Sequence, residues 1–181
     1  MNVNDQLLAE REIRRRLLDY CRGIDRCDVD LVASSYHPDA IDDHGAFHGS
    51  GHEFARFATE AIREHYEATM HTIGDSIIDF TDDRTAYVET YVCADHRHRD
   101  IDGESLERFG ARYLDRFEQR DDAWRIADRV VVVEWSTTMP ITPAVGAGRY
   151  VRGSRDHSDL AYQRTPRDPQ VTMPRMGDPR T

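Results

Sequence analysis

Asp25 and His71 are the residues of this chain whose types and placement could do chemistry. Asp25 lies in the last turn of a predicted amphipathic helix. At 100° per residue, Tyr20, Ile13, Ile24, Leu17, Cys21 and Leu18 form one apolar arc, with Arg15, Arg16, Asp19 and Arg22 opposite. Asp25 falls inside the arc, and a carboxylate directed into a core must be paired, because burying an isolated charge is costly. His71, at the start of the first long predicted strand, is a suitable partner. An Asp–His pair in an apolar cavity is proton-transfer chemistry: the imidazole takes a proton, while the carboxylate fixes its tautomer and stabilises the imidazolium.

The elements that must position this pair follow from periodicity. A first helix is predicted from about Asp5 to Asp25, and Asp28 reads as the N-cap of a short second helix through Val32 and Ser35. His37-Pro38-Asp39 stops it, Ala40 to Asp43 is a candidate short strand, and Gly45 to Gly51 reads as a loop. Ser50-Gly51-His52-Glu53 is a capping box before a third helix to about His65, whose positions Phe54, Phe57, Ala58, Ala61 and Ile62 form a core-facing stripe. From Met70 the period changes to two. Strands are predicted near 70–80, 84–98, 105–119 and 124–136, joined by Thr81-Asp82-Asp83, Ile101-Asp102-Gly103-Glu104 and Arg120-Asp121-Asp122. Three helices before an antiparallel meander predict an α+β domain, residues 1–136, in which a strongly curved sheet wraps the helices around a conical cavity. Residues 137–181, rich in Pro, Gly and Arg, read as a surface-hugging or disordered tail.

Composition removes several functions. All 24 basic residues are Arg, so Schiff-base lysine, pyridoxal phosphate and P-loop lysine chemistry are excluded. The net charge of −10 is concentrated in residues 1–136, with 17 Arg against 30 acids, and argues against nucleic acid as a partner. No apolar run is long enough to cross a bilayer, and the charged N-terminal residues do not resemble an export signal, which predicts a cytoplasmic protein. Cys21, Cys27 and Cys93 are odd in number without a C-x-x-C spacing, and read as thiols rather than a disulfide or zinc framework. His44, His48 and His52, and the pair His96-x-His98, have spacings that invite a metal. The first two precede the predicted helix on a Gly-rich loop without fixed geometry, so no metal is expected.

Four segments carry a family resemblance: YCRGIDRCDVD at the end of the first helix, SSYHPDAIDDHGAFHG, MHTIGDSIIDF, and the closing hairpin GARYLDRFEQRDDAWRIADRVVVVEW. Over about residues 8–136 they resemble the SnoaL-like branch of the nuclear transport factor 2-like superfamily, and within it the scytalone dehydratase, bile-acid 7α-dehydratase and hexachlorocyclohexane dehydrochlorinase group. The resemblance implies a cofactor-free, commonly trimeric β-eliminating lyase. It places the general base on His71, its orienting carboxylate on Asp25, and a leaving-group or enolate stabiliser on Arg129. Tyr20 falls where the dehydratases carry a Tyr, which favours loss of water over loss of chloride. His96 matches a second histidine, with His98 a competitor.

These types suit elimination β to a carbonyl, which needs a base for the α-proton, a donor for the carbonyl oxygen and a proton for the departing hydroxyl. The expected partner is a small hydrophobic alicyclic or polycyclic substrate such as a steroid or polyketide. A SnoaL-type polyketide cyclase or ketosteroid-type isomerase would use the same base, and the fold also serves as a non-catalytic binding or assembly module. Because Val130 to Val133 are too apolar for a strand exposed on one side, a homo-oligomer through the sheet is expected, a trimer first and a dimer second.

Overall fold

A computed structural model describes residues 1–100, 103–142 and 150–163. Helix α1 (Val3–Arg26) starts at Asn2, whose side chain accepts from the Asp5 amide, and ends at Cys27 in the left-handed region with φ 51°. Asp28 caps the short α2 (Val29–Ala33) as the sequence predicts, and α3 (Gly51–His65) begins with the Ser50/Glu53 capping box, both reciprocal bonds formed. The last turn of α1 is therefore held by its own C-cap, Cys27, and by the α2 cap, Asp28, on the next residue.

Six strands form one sheet: β1 (Tyr36–Asp43), β2 (His48–Ser50), β3 (Ala68–Phe80), β4 (Thr85–Asp100), β5 (Gly103–Arg120) and β6 (Ala123–Pro140). Their order is β2-β1-β6-β5-β4-β3. The predicted meander is β3 to β6. The sheet is mixed rather than purely antiparallel, because β1 is longer than expected and lies parallel to β6, with β2 folded back on it. Asp121 and Asp122 both take positive φ, at 50° and 58°, and close the β5–β6 hairpin as a two-residue turn. In the β4–β5 turn, Ile101 and Asp102 lie outside the described residues.

Irregular register at Ile73/Ser76, Gly110/Ala111 and Arg116/Phe117 bends the long strands around α1. Trp135 lies over Gly110, where an added Cβ would stand 2.2 Å from the indole, so only glycine permits this approach. Ile13, Leu17 and Tyr20 of α1 pack with Val32, Tyr36, Phe117, Trp124 and Ile126 at the centre of the core.

Two expected core residues lie elsewhere. Leu18 is 53% exposed and lines a surface groove, and Phe57 is 45% exposed, its ring against Phe47 at 5.2 Å. Both sit at the margin of an apolar stripe wider than the surface that covers it. Conversely Asp19, assigned to the polar side, is buried beneath Arg15 and Arg16.

Strand β6 continues four residues past Ser136 and pairs with Ser105 to Arg108. Beyond it, residues 150–163, which end in α4 (Leu160–Gln163), dock on the helices: Tyr162 of α4 donates to Asp28, while before α4 Asp159 pairs with Arg26 and Arg155 donates to the Ile62 carbonyl. Residues 164–181, assigned to the tail, lie outside the described residues.

Candidate active site

Asp25 reaches from the end of α1 to the start of β3, an edge strand whose free backbone donors are available to a side chain. Its Oδ2 accepts the His71 amide at 2.9 Å, and Oδ1 accepts the Thr69 hydroxyl at 3.0 Å and lies 2.7 Å from His71 Nδ1. Burial alone would raise the carboxyl pKa, but the His71 ring and backbone and Thr69 together lower it below the usual value, so Asp25 is ionised. An ionised acceptor fixes the tautomer: Nδ1 carries the proton and Nε2 presents its lone pair. That is the form of a general base. The pair borders a groove of about 350 Å³ shared with Leu18, Cys21, Arg22 and Ala161 of α4. Arg15, Asp19 and Arg26 also line it, so this side is more polar than the apolar pocket expected.

On the inner side, His96 lies on β4 diagonally across from His71, ring centroids 5.5 Å apart, between Tyr66 at 4.7 Å and Phe109 at 5.5 Å. His98, two residues on, has its Nε2 2.8 Å from the Ser105 hydroxyl, so His96 is the one that joins His71. Both His96 ring nitrogens are buried without a partner. Burial and the neighbouring His71 push its pKa down to about 4. His37, buried and beside Arg120 and Arg125, is also pushed down to about 4. A histidine that protonates near 6.5 when unfolded but only near 4 when folded costs stability as pH falls through that interval. The urea midpoint is therefore expected to fall between pH 7 and pH 5. His96→Phe, which suits the aromatic surroundings, should recover on the order of 1 kcal/mol of that loss. An unchanged pH dependence in the variant would show that His96 is not buried neutral.

Arg129 is fully buried on β6. Its Nε and Nη2 donate to the two carboxylate oxygens of Asp115 on β5 at 2.6 and 2.7 Å, a bidentate pair. Its guanidinium carbon lies 4.3 Å from the Tyr20 ring centre and 4.1 Å from that of Tyr113. Burial works against the Arg129 charge, and Asp115 more than offsets it, so the pKa rises well above its ordinary value. Nη1 alone is left without a partner.

Two functional candidates escaped the sequence reading. Asp115 is the anion that an inward Arg129 requires. His44, expected on a loop without fixed geometry, is held firmly: its Nδ1 bonds the buried Asp42, its Nε2 is 3.2 Å from the Tyr20 hydroxyl, and its ring stacks on Phe54 at 4.0 Å. Among the described residues, no three His, Cys, Asp or Glu side chains are placed to hold a metal. No described helix is long and apolar enough to cross a membrane.

A helical hairpin and third helix packed in a curved mixed sheet are the architecture of the SnoaL-like α+β domains. The chain belongs to that family: the SnoaL-like domain model matches residues 5–130, more than two thirds of it. Solved structures repeat the fold. A scytalone dehydratase-like protein of Novosphingobium aromaticivorans is 22% identical with TM-score 0.68, covering 79% of this chain and 95% of its own. The hexachlorocyclohexane dehydrochlorinase LinA-type3 of Novosphingobium barchaimii is 18% identical with TM-score 0.70, covering 79% and 100%. A Mycobacterium tuberculosis protein of unknown function is 19% identical with TM-score 0.63, covering 74% and 76%. A search of curated proteins finds no match.

Proposed function

We propose that the protein is a cofactor-independent lyase that removes water from a hydrophobic alicyclic or polycyclic β-hydroxy carbonyl compound of steroid or polyketide type. The observation that carries this is the Asp25–His71 pair, which leaves His71 Nε2 as a free base while both Asp25 oxygens are occupied. His71 takes the α-proton, and Arg129 offers its unpartnered Nη1 to the enolate oxygen. His96, with two unpaired nitrogens among aromatic rings, contacts a polar group of the substrate, since a buried polar group left unpaired costs about 1–3 kcal/mol. A dehydratase and a dehydrochlorinase among the structural neighbours are consistent with elimination. A purely binding module has no need of an imidazole held in one tautomer. The cytoplasmic location expected from the sequence accompanies this reading.

The test is incubation of the full chain with a panel of cyclic β-hydroxy ketones in D2O, following enone formation and deuterium entry at the α-carbon. Enone with water loss supports the lyase. Ring closure or double-bond migration would instead indicate the cyclase or isomerase. Absence of both reaction and exchange across the panel would overturn the base.

The outer sheet face carries Ile77, Tyr87, Tyr91, Val130 and Trp135, each between 42% and 56% exposed. Such an apolar face on a domain of this size supports assembly through the sheet. Light scattering at micromolar concentration is expected to give a trimer, or failing that a dimer; a monomer would contradict the assembly.

A further inference from the structure

Asp42 and His44 form a second carboxylate–imidazole pair, separate from Asp25–His71. Asp42 is fully buried and accepts the Tyr36 hydroxyl on Oδ2 at 2.6 Å, while His44 Nδ1 bonds Oδ1. With Nδ1–H on the carboxylate, Nε2 of His44 addresses the Tyr20 hydroxyl, and stacking on Phe54 fixes the ring plane. The groups facing His44 come from every packed element: Tyr20 from α1, Phe54 from α3, Tyr113 from β5, Arg129 from β6, and His71 from β3, whose charge disfavours a charge on His44. Asp115 lies just behind, paired with Arg129. Two imidazoles, each backed by its own carboxylate, thus stand near enough for the charge of one to act on the other.

Resting on the lyase reading, we infer that Asp42, His44 and Tyr20 form the acid arm of the site, and that the leaving group is therefore a hydroxyl rather than a halide. His44 acts through Tyr20 and is a positioning and proton-supplying residue. In the step, His71 Nε2 takes the α-proton, and the C–H electron pair forms the double bond. The Cβ–O bond breaks with its pair on oxygen, that oxygen takes the Tyr20 proton and departs as water, and the Tyr20 oxygen takes the proton of protonated His44. The site ends with His71 protonated and His44 neutral, and proton exchange with solvent resets both. Hydroxide is a poor leaving group and needs this proton, whereas chloride leaves as a stable anion and does not. Burial lowers the His44 pKa, against the pull of Asp42, so its proton is held weakly and dehydration should fall as pH rises, a loss that chloride elimination, which needs no proton on the leaving group, does not share.

The test compares a bicyclic β-hydroxy ketone with the β-chloro ketone of the same skeleton, using the full chain. His44→Gln keeps an acceptor for the Tyr20 hydroxyl but cannot carry the proton. It is expected to lower dehydration about 100-fold or more, with chloride elimination falling less than about tenfold. Tyr20→Phe, which preserves ring packing, should give the same split and serves if the glutamine variant fails to fold. Equal losses on both substrates, or retained dehydration in both variants, would overturn the acid arm. A wild type that eliminates chloride but not water would also overturn it while leaving the lyase intact. If wild type acts on neither substrate, or His71→Ala leaves both rates unchanged, the base reading falls and the acid arm with it.

Discussion

His71→Ala lowers kcat/KM for elimination by about 10²–10⁴-fold, the contribution of a positioned base. The loss should appear in kcat, because the imidazole acts on the proton in transit rather than in holding the substrate. Asp25→Asn gives the more specific result. Its amide oxygen can still accept the His71 backbone N–H, which keeps the α1–β3 junction closed, but an NH2 facing Nδ1 forces the proton onto Nε2. Nε2 then cannot accept a proton. A fall of roughly 100-fold or more with a nearly unchanged urea midpoint is expected. Asp25, whose pKa is lowered, is ionised in the wild type, which is the charge the asparagine removes. Should His71→Ala retain wild-type turnover, the pair is structural and the base lies elsewhere, His96 at 5.5 Å being next.

The part of this site legible in the sequence is the part built from local signals. The amphipathic period placed Asp25 inward, the switch to period two placed His71 on a strand, and the Ser50/Glu53 box fixed the start of α3. Arg129 on a valine-rich strand already implied an anion. What remained hidden depends on long-range pairing. His44 meets Tyr20 and Phe54 only because β1 is laid parallel to β6, and no turn sequence announces a parallel neighbour. A signal was nevertheless present, since Ala40, Asp42 and His44 alternate at the end of a strand, and period two sends all three to one face. Asp115 was equally readable: Tyr113, Asp115 and Phe117 share the inward face of β5, and an acid among inward aromatics requires a cation. Leu18 and Phe57 show the reverse error, because periodicity defines a stripe but not how far the sheet covers it.

The Asp115–Arg129 pair sets the largest expected effect on stability. Both side chains have no solvent exposure, and two of the three guanidinium nitrogens are committed to the carboxylate. Asp115→Asn keeps the shape but leaves the Arg129 charge buried without its counter-ion. The cost should be about 3–5 kcal/mol, or on the order of 10 °C in Tm for a chain of this size. The double variant Asp115→Leu/Arg129→Met removes both charges together, and buried pairs replaced by apolar residues of similar volume are often neutral or stabilised. It should therefore recover most of the single variant's loss, with urea midpoints at constant m-value as the measurement. The same double variant separates scaffold from chemistry. If Arg129 served only to hold β5 to β6, a refolded, stable double variant would eliminate water at the wild-type rate. If its unpartnered Nη1 receives the enolate oxygen, activity stays lost by roughly 10²-fold or more although stability returns. A double variant as unstable as Asp115→Asn alone would show that the loss comes from packing between Tyr20 and Tyr113 rather than from an uncompensated charge.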